Sequence, residues 1–243
     1  EPDLGQPATE PTEVRILYSE DALYFGVRCY DSDPESILTT EYRRDDLLLN
    51  DDTFTILLDT FHDHRSGFVF RTNALGTKFD AVITDEDRDL NLEWDEKWRT
   101  AAHINDEGWV VEIEIPWSTL RSQSERVQTW GIDFERMIRR KAEETYWSNY
   151  SRDYQFWHVS QYGHLLDLEE IQGGLKMRVK PYGVSGFNHS RPDVDAEPME
   201  FRGKLDGGLE NVKISITPSI TADFTLNPDF AQAEVDQSVF NLT

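Results

Sequence analysis

Cysteine is nearly absent. Cys29 is the one thiol in 243 residues, so no internal disulfide staples the chain. It sits in the alternating run "ALYFGVRCY", which makes it a small buried apolar side chain. Basic residues are scarce as well: 24 Lys+Arg face 47 Asp+Glu, for a formal net charge of -23. A field of that sign repels phosphate backbones and argues against a nucleic-acid partner. Neutral sugars, cations and basic protein surfaces remain compatible with it. No apolar run is long enough for a transmembrane helix. Helical periodicity is almost missing, limited to a turn or two near "PESILT" and "PWSTLRSQ". GxSxG, HExxH, P-loop and GxGxxG patterns are missing too, so nucleophilic catalysis has no candidate.

What is present is period-2 alternation. "EVRILYS" and "ALYFGVRCYD" read as strands joined at "SEDA", and "DTFTILLDTF" as another with Phe54, Ile56 and Leu58 on one face. "SGFVFRTNALGTKFDAVIT" reads as a hairpin turning at "NALG". "WRTAAHI" and "WVVEIEIP" make a hairpin at "NDEG", and "TWGIDFERMIRRK" with "ETYWSNYS" a further pair. Short strands between Gly, Asn and Asp turns predict an all-β fold, an antiparallel β-sandwich. A hydrophobic share of 38% with seven Trp is enough for one sizeable core. Near Gly173 and Gly174 the strands become longer and their apolar faces thinner. We therefore place a boundary there, with the sandwich over residues 1–172 and a β-strand segment over 173–243.

Several side chains are candidates for chemistry. In "WVVEIEIP" the apolar Val111, Ile113 and Ile115 share one face, and Glu112 and Glu114 the other, with Cα atoms about 6.5–7 Å apart. Paired carboxylates at such separations serve glycosidases, but any outward strand face places like residues at i and i+2, and a solvated face is the stronger reading. Trp98, Trp109 and Trp117 stand at strand ends, where indoles close a core and bond their N–H near the rim. The richest aromatic stretch is "TYWSNYSRDYQFWHVSQYG". There Tyr146, Trp147, Tyr154 and Trp157 suit stacking on sugar faces, and Asn149, Arg152 and Asp153 suit bonding hydroxyls, as do Asp51 and Asp52 earlier. In "DEDRDLNLEWDE" oxygen ligands recur at Asp85, Asp87, Asp89 and Asn91, a spacing that would suit calcium, although Leu90 stands where an EF-hand loop needs Gly. A solvated charge run is the competing reading. In "RRDDLLLNDD" mixed signs favour internal salt bridges. Of the histidines only "FHDHR" brings two together, and i, i+2 on a turn is a poor stand-alone metal site.

Read jointly, "TEVRILYSEDALYFGVRCYDSDP", "NDDTFTILLDTFHDHRSGFVFRTNALGTKFDA", "WDEKWRTAAHINDEGWVVEIEIPWSTLR" and "TWGIDFERMIRRKAEETYWS" resemble the family 9 carbohydrate-binding modules. Together with "NPDFAQAEVDQSVFNLT" they resemble bacterial proteins in which such a module precedes an outer-membrane β-barrel of unassigned function. The resemblance implies a sandwich that binds an oligosaccharide or polysaccharide, and periplasmic or cell-surface residence at a Gram-negative outer membrane. It also implies a membrane β-barrel of the same protein as partner, and a structural calcium. It further implies a clamp of two aromatic rings: Tyr146 and Trp147 are the nearest match to one, while Leu47, Leu48 and Leu49 stand where the other is placed. Non-catalytic glycan recognition is the expected function. A gating periplasmic domain without a sugar ligand and a glycoside hydrolase centred on Glu112 and Glu114 are the alternatives.

Overall fold

The computed structural model of the protein describes residues 5–86, 88–123, 125–148, 154, 157–171, 177–189, 201–217 and 220–226. The chain divides into two compact units, Glu1–Gly174 and Leu175–Thr243. Among the described residues there is no α-helix, only three short 3-10 turns, one of them at Pro34–Ser36 where a turn was expected.

The first unit is a sandwich of two antiparallel sheets. Thr12–Tyr18 (β1) and Ala22–Tyr30 (β2) form the first hairpin. Thr53–Asp59 (β3), Gly67–Asn73 (β4), Lys78–Thr84 (β5) and the short Asp89–Asn91 (β6) form a meander. Arg99–Asn105 (β7) and Gly108–Pro116 (β8) are the "NDEG" hairpin. Val127–Ile138 (β9) is followed by Glu143–Tyr146 (β10) and Gly163–Glu169 (β11), which both pair with it. One sheet runs β1-β2-β8-β7. The other runs β10-β9-β3-β4-β5-β6, with β11 beside β9.

The alternation read from the sequence produces the core. Leu23, Phe25, Val27 and Cys29 from β2, with Val111, Ile113 and Ile115 from β8, face Phe54, Ile56, Leu58, Phe70, Trp130, Ile132 and Phe134 of the other sheet. Burial raises the Cys29 thiol to about 12, so it stays an inert apolar group. Trp98 and Trp117 close the core as expected, their indole N–H groups donating to Asp80 Oδ1 (3.0 Å) and the Ser19 carbonyl (2.9 Å). Trp109 differs: its Nε1 is buried with no partner among the described residues.

The sequence predicts one buried face for β3, but all seven of its residues are buried. A second apolar cluster covers the outer face of this sheet: Leu48, Leu57, Val69, Phe79, Ala81, Ile83, Val159 and Tyr162, with Leu47, Leu90 and Trp157 packed on it. The second unit is an antiparallel meander of Met177–His189 (β12), Phe201–Thr217 (β13) and Ile220–Leu226 (β14).

Candidate functional site

The outer face of the larger sheet carries charge where a strand sandwiched between two apolar layers has no cheap place for it. Register places Tyr146, Glu135, Thr55, Arg71 and Phe79 in one row across β10, β9, β3, β4 and β5. Within that row Thr55 Oγ1 donates to Glu135 Oε2 (2.5 Å), Arg71 Nε donates to Thr55 Oγ1 (2.9 Å), and Arg71 Nη2 donates to Glu135 Oε2 (3.1 Å). Arg71 Nη1 reaches the Leu47 carbonyl at 3.1 Å. The two charged side chains are only 6% and 4% exposed. A buried ion pair repays its desolvation only when such hydrogen bonds surround it. The guanidinium carbon lies 5.8 Å from the Trp157 ring and 5.9 Å from that of Phe79, both within cation–π range. An aromatic-flanked, hydrogen-bonded ion pair is thus built into the second apolar cluster, on the outer face of the sheet. The sequence reading passed over Arg71 and Glu135. The signal for them was charge inside "GFVFRTN" and "WGIDFERMI", strands whose aromatic and branched residues mark them for burial.

The predicted aromatic residues divide between two sides. Tyr146 lies in the row itself, its hydroxyl donating to Glu144 (2.6 Å). Trp147, one residue on, faces the other way. Its ring meets Phe134 edge-on at 5.9 Å and lies so close over Gly163 that a Cβ there would overlap it. It is still 58% exposed, at the sandwich edge. Tyr154 is 42% exposed, with one ring face covered by His158 at 4.3 Å. Trp157 packs on the outer-face cluster above Arg71. Asn149, Arg152 and Asp153 lie outside the described residues.

Asp51 and Asp52 do not offer oxygens to a surface ligand, and this corrects the sequence reading. Asp51 is fully buried and accepts from Thr40 N and Oγ1, Glu41 N and Asn73 Nδ2 at 2.7–3.0 Å. It pins the loop before β3. Asp52 accepts from Arg139 N at 2.7 Å, and burial pushes its carboxyl up to about 6.

The described members of the expected calcium set are each engaged by protein groups. Asp85 is taken by Arg65 (2.8 Å) and Arg88 (3.2 Å), Asp89 accepts from the Thr84 hydroxyl, and Asn91 caps the Glu93 N–H. Asp87 lies outside the described residues. Asp89 and Asn91 belong to the edge strand β6. The carboxylates that do converge are Asp45, Asp80 and Asp95. Arg44 bridges Asp80 and Asp95 there, while Glu96 N and the Trp98 indole also donate to Asp80. The guanidinium fills the place of a cation, so the set does not fit calcium.

Glu112 and Glu114 stand on the outer face of the other sheet, across the sandwich from the aromatic row, and Arg99 holds Glu114 at 3.1 Å. That is a solvated strand face with a cross-strand ion pair, not a carboxylate pair in a cleft. A shallow depression of about 500 Å³ lies elsewhere, between Asp33 and Glu35 and the Ile104–Asp106 turn. It has no aromatic ring to stack a sugar.

Residues 5–166 match the family described as carbohydrate family 9 binding domain-like. The chain belongs to this family. Residues 174–243 match a domain of unknown function. A proposed carbohydrate-binding protein from Bacteroides uniformis has a similar fold, with TM-score 0.55 and 13% identity over 66% of this chain and 79% of that one. A family 9 carbohydrate-binding module from Caldicellulosiruptor kristjanssonii, solved with cellotriose, aligns with TM-score 0.48 and 16% identity, over 67% and 77%. No curated protein matches.

Proposed function

We propose that this domain binds glycans without cleaving them, on the outer face of the larger sheet. One observation carries the placement: the Arg71–Glu135 pair lies buried beneath Trp157, beside Tyr146. Pyranose rings lay their C–H faces on indoles while fixed polar groups orient their hydroxyls. Trp157, Tyr146 and Tyr154 supply the rings, Trp147 a separate platform at the edge, and Asn149, Arg152 and Asp153 the additional polar contacts. Membership of a carbohydrate-binding family supports the class of ligand.

The test is a titration of cello-, xylo-, laminari- and chito-oligosaccharides followed by calorimetry and Trp fluorescence. At least one should bind, and Trp157→Ala should weaken it tenfold or more, about 1.4 kcal/mol. Trp147→Ala should matter only if the edge platform is used. A flat response across the set, or binding indifferent to Trp157→Ala, would overturn the reading.

The second unit is the start of a membrane barrel, and the sandwich is its periplasmic or surface companion in a Gram-negative bacterium. In support, β12 and β13 run 13 and 17 residues, more than the 9–11 that a tilted strand needs to span a bilayer. Val179, Phe224 and Leu226 expose apolar side chains there.

A further inference from the structure

The turn after β3 meets β11 in a way the sequence does not announce. His62 and His64 lie on that turn and His164 on β11, far apart in sequence. The His62 ring is 4.6 Å from that of His64 and 5.1 Å from that of His164, centroid to centroid. Register explains the meeting: Asp59 pairs with Gly131 on one side and His164 with Gly131 on the other. A Cβ at residue 131 would sit 3.0 Å from that of Asp59 and 3.5 Å from Tyr162, so glycine keeps this row narrow.

We propose that His62, His64 and His164 bind a divalent transition-metal ion of the zinc class. Three imidazoles on one zinc, with Zn–N of about 2.0–2.1 Å and a near-tetrahedral angle, place ring centroids about 5.2 Å apart. The two separations, 4.6 and 5.1 Å, fall at or just short of that spacing. His62 Nε2 is sealed from solvent with no hydrogen-bond partner among the described residues. A buried nitrogen left unpaired costs about 1–3 kcal/mol, and an ion relieves it.

The turn is also held in shape. His62 and His64 both adopt left-handed backbone, at φ 50° and 58°. Asp59 accepts the His64 N–H (2.9 Å) and Asp63 accepts those of Arg65 and Ser66, so both carboxylates are spent on the loop and the imidazoles are left as ligands. Strained backbone persists only where its surroundings over-determine it, and it clusters at ligand sites. Among the described residues, the one group with three ligand atoms within 4.8 Å of one another is Asp45, Asp80 and Asp95. Ligation by the histidines requires side-chain rotation of His64 and His164, both of which are exposed. Imidazole donors select zinc, nickel or copper over calcium, and the net charge of -23 draws cations in. The cluster lies about 13 Å along β9 from Glu135, four strand residues away, so it is independent of the glycan reading.

The test uses tag-free, chelator-treated protein titrated with Zn2+ by calorimetry, with bound metal counted after dialysis. One equivalent should bind, and saturating Zn2+ should raise the unfolding midpoint. His164→Gln and His64→Gln should each weaken binding at least tenfold, while metal-free unfolding midpoints stay unchanged because both side chains are exposed. His62→Gln should abolish binding. Absence of saturable binding would overturn the proposal. So would binding that persists in His164→Gln, including binding that Asp95→Asn removes, which would move the ion to the acidic cluster.

Discussion

Asp52 hands one carboxylate oxygen to the Arg139 N–H and leaves the other sealed from solvent, with no partner among the described residues. Burial is the largest influence on it and carries its carboxyl from 3.8 to about 6. A carboxyl raised on folding binds its proton more tightly in the folded state. Its contribution to stability is complete below about pH 3.8 and is lost as pH climbs through about 6. Above that, the sealed anion is a burden. Asn at this position keeps an acceptor for Arg139 and removes the charge. Asp52→Asn should therefore match the parent near pH 4 and exceed it near pH 8, by on the order of 1–2 kcal/mol in denaturant melts. A parallel pH dependence in the two proteins would show that Asp52 does not titrate in this range. Asp51, one residue earlier, shows the opposite outcome for the same side chain. Four donors converge on it, and what it does is hold a loop.

The β7–β8 hairpin was the most legible element in the chain. "WVVEIEIP" alternates without interruption, and the Asp-Glu-Gly before it is a turn. The glycine is required by more than turn chemistry. Gly108 has φ +134°, and a Cβ there would collide with the Cys29 carbonyl oxygen and come within 2.8 Å of Asp31 N. Both obstacles are backbone of β2 or the residue following it, so no rotamer change makes room. Gly108→Ala should destabilise the sandwich by about 3 kcal/mol or more, lowering its thermal midpoint by several degrees. Near-parental stability would mean that the hairpin end moves freely away from β2. Other elements were less legible. β6 has three residues and β11 was not foreseen, because "GHLLDLE" breaks its alternation at Leu165 and Leu166. The register accordingly shifts between Leu165 and Leu168.

On the scale of the molecule, the two units are built from different strands: the two longest, β12 and β13, lie in the second unit. Among the described residues, the two apolar clusters lie in the sandwich. The second unit carries long strands with exposed Val179, Phe224 and Leu226, and among the described residues its outer strands β12 and β14 each have one neighbour. Open strand edges of that kind are completed by further strands or by association. In a Gram-negative host, the protein carrying this chain should fractionate with outer membranes and resist extraction by salt or carbonate. Recovery in a soluble fraction would remove the envelope part of the reading and leave the sandwich and its glycan site untouched.

The sequence by itself determined the all-β class, most of the strands, the core face of each, the inert cysteine and the family. Each follows from a short-range regularity: alternation at period 2, turn residues, and the order of recognisable segments. Tertiary structure alone decided what the polar residues do. Asp51 is a loop anchor, Asp85 an arginine partner, and Tyr146 stands beside Glu135 while Trp147 meets Phe134, because each outcome depends on what the other strands bring alongside. Arg71 with Glu135, and His62 with His164, are 64 and 102 positions apart, and only strand pairing joins them. Local pattern records which face of a strand is apolar; it carries no record of which distant side chain will stand across from it.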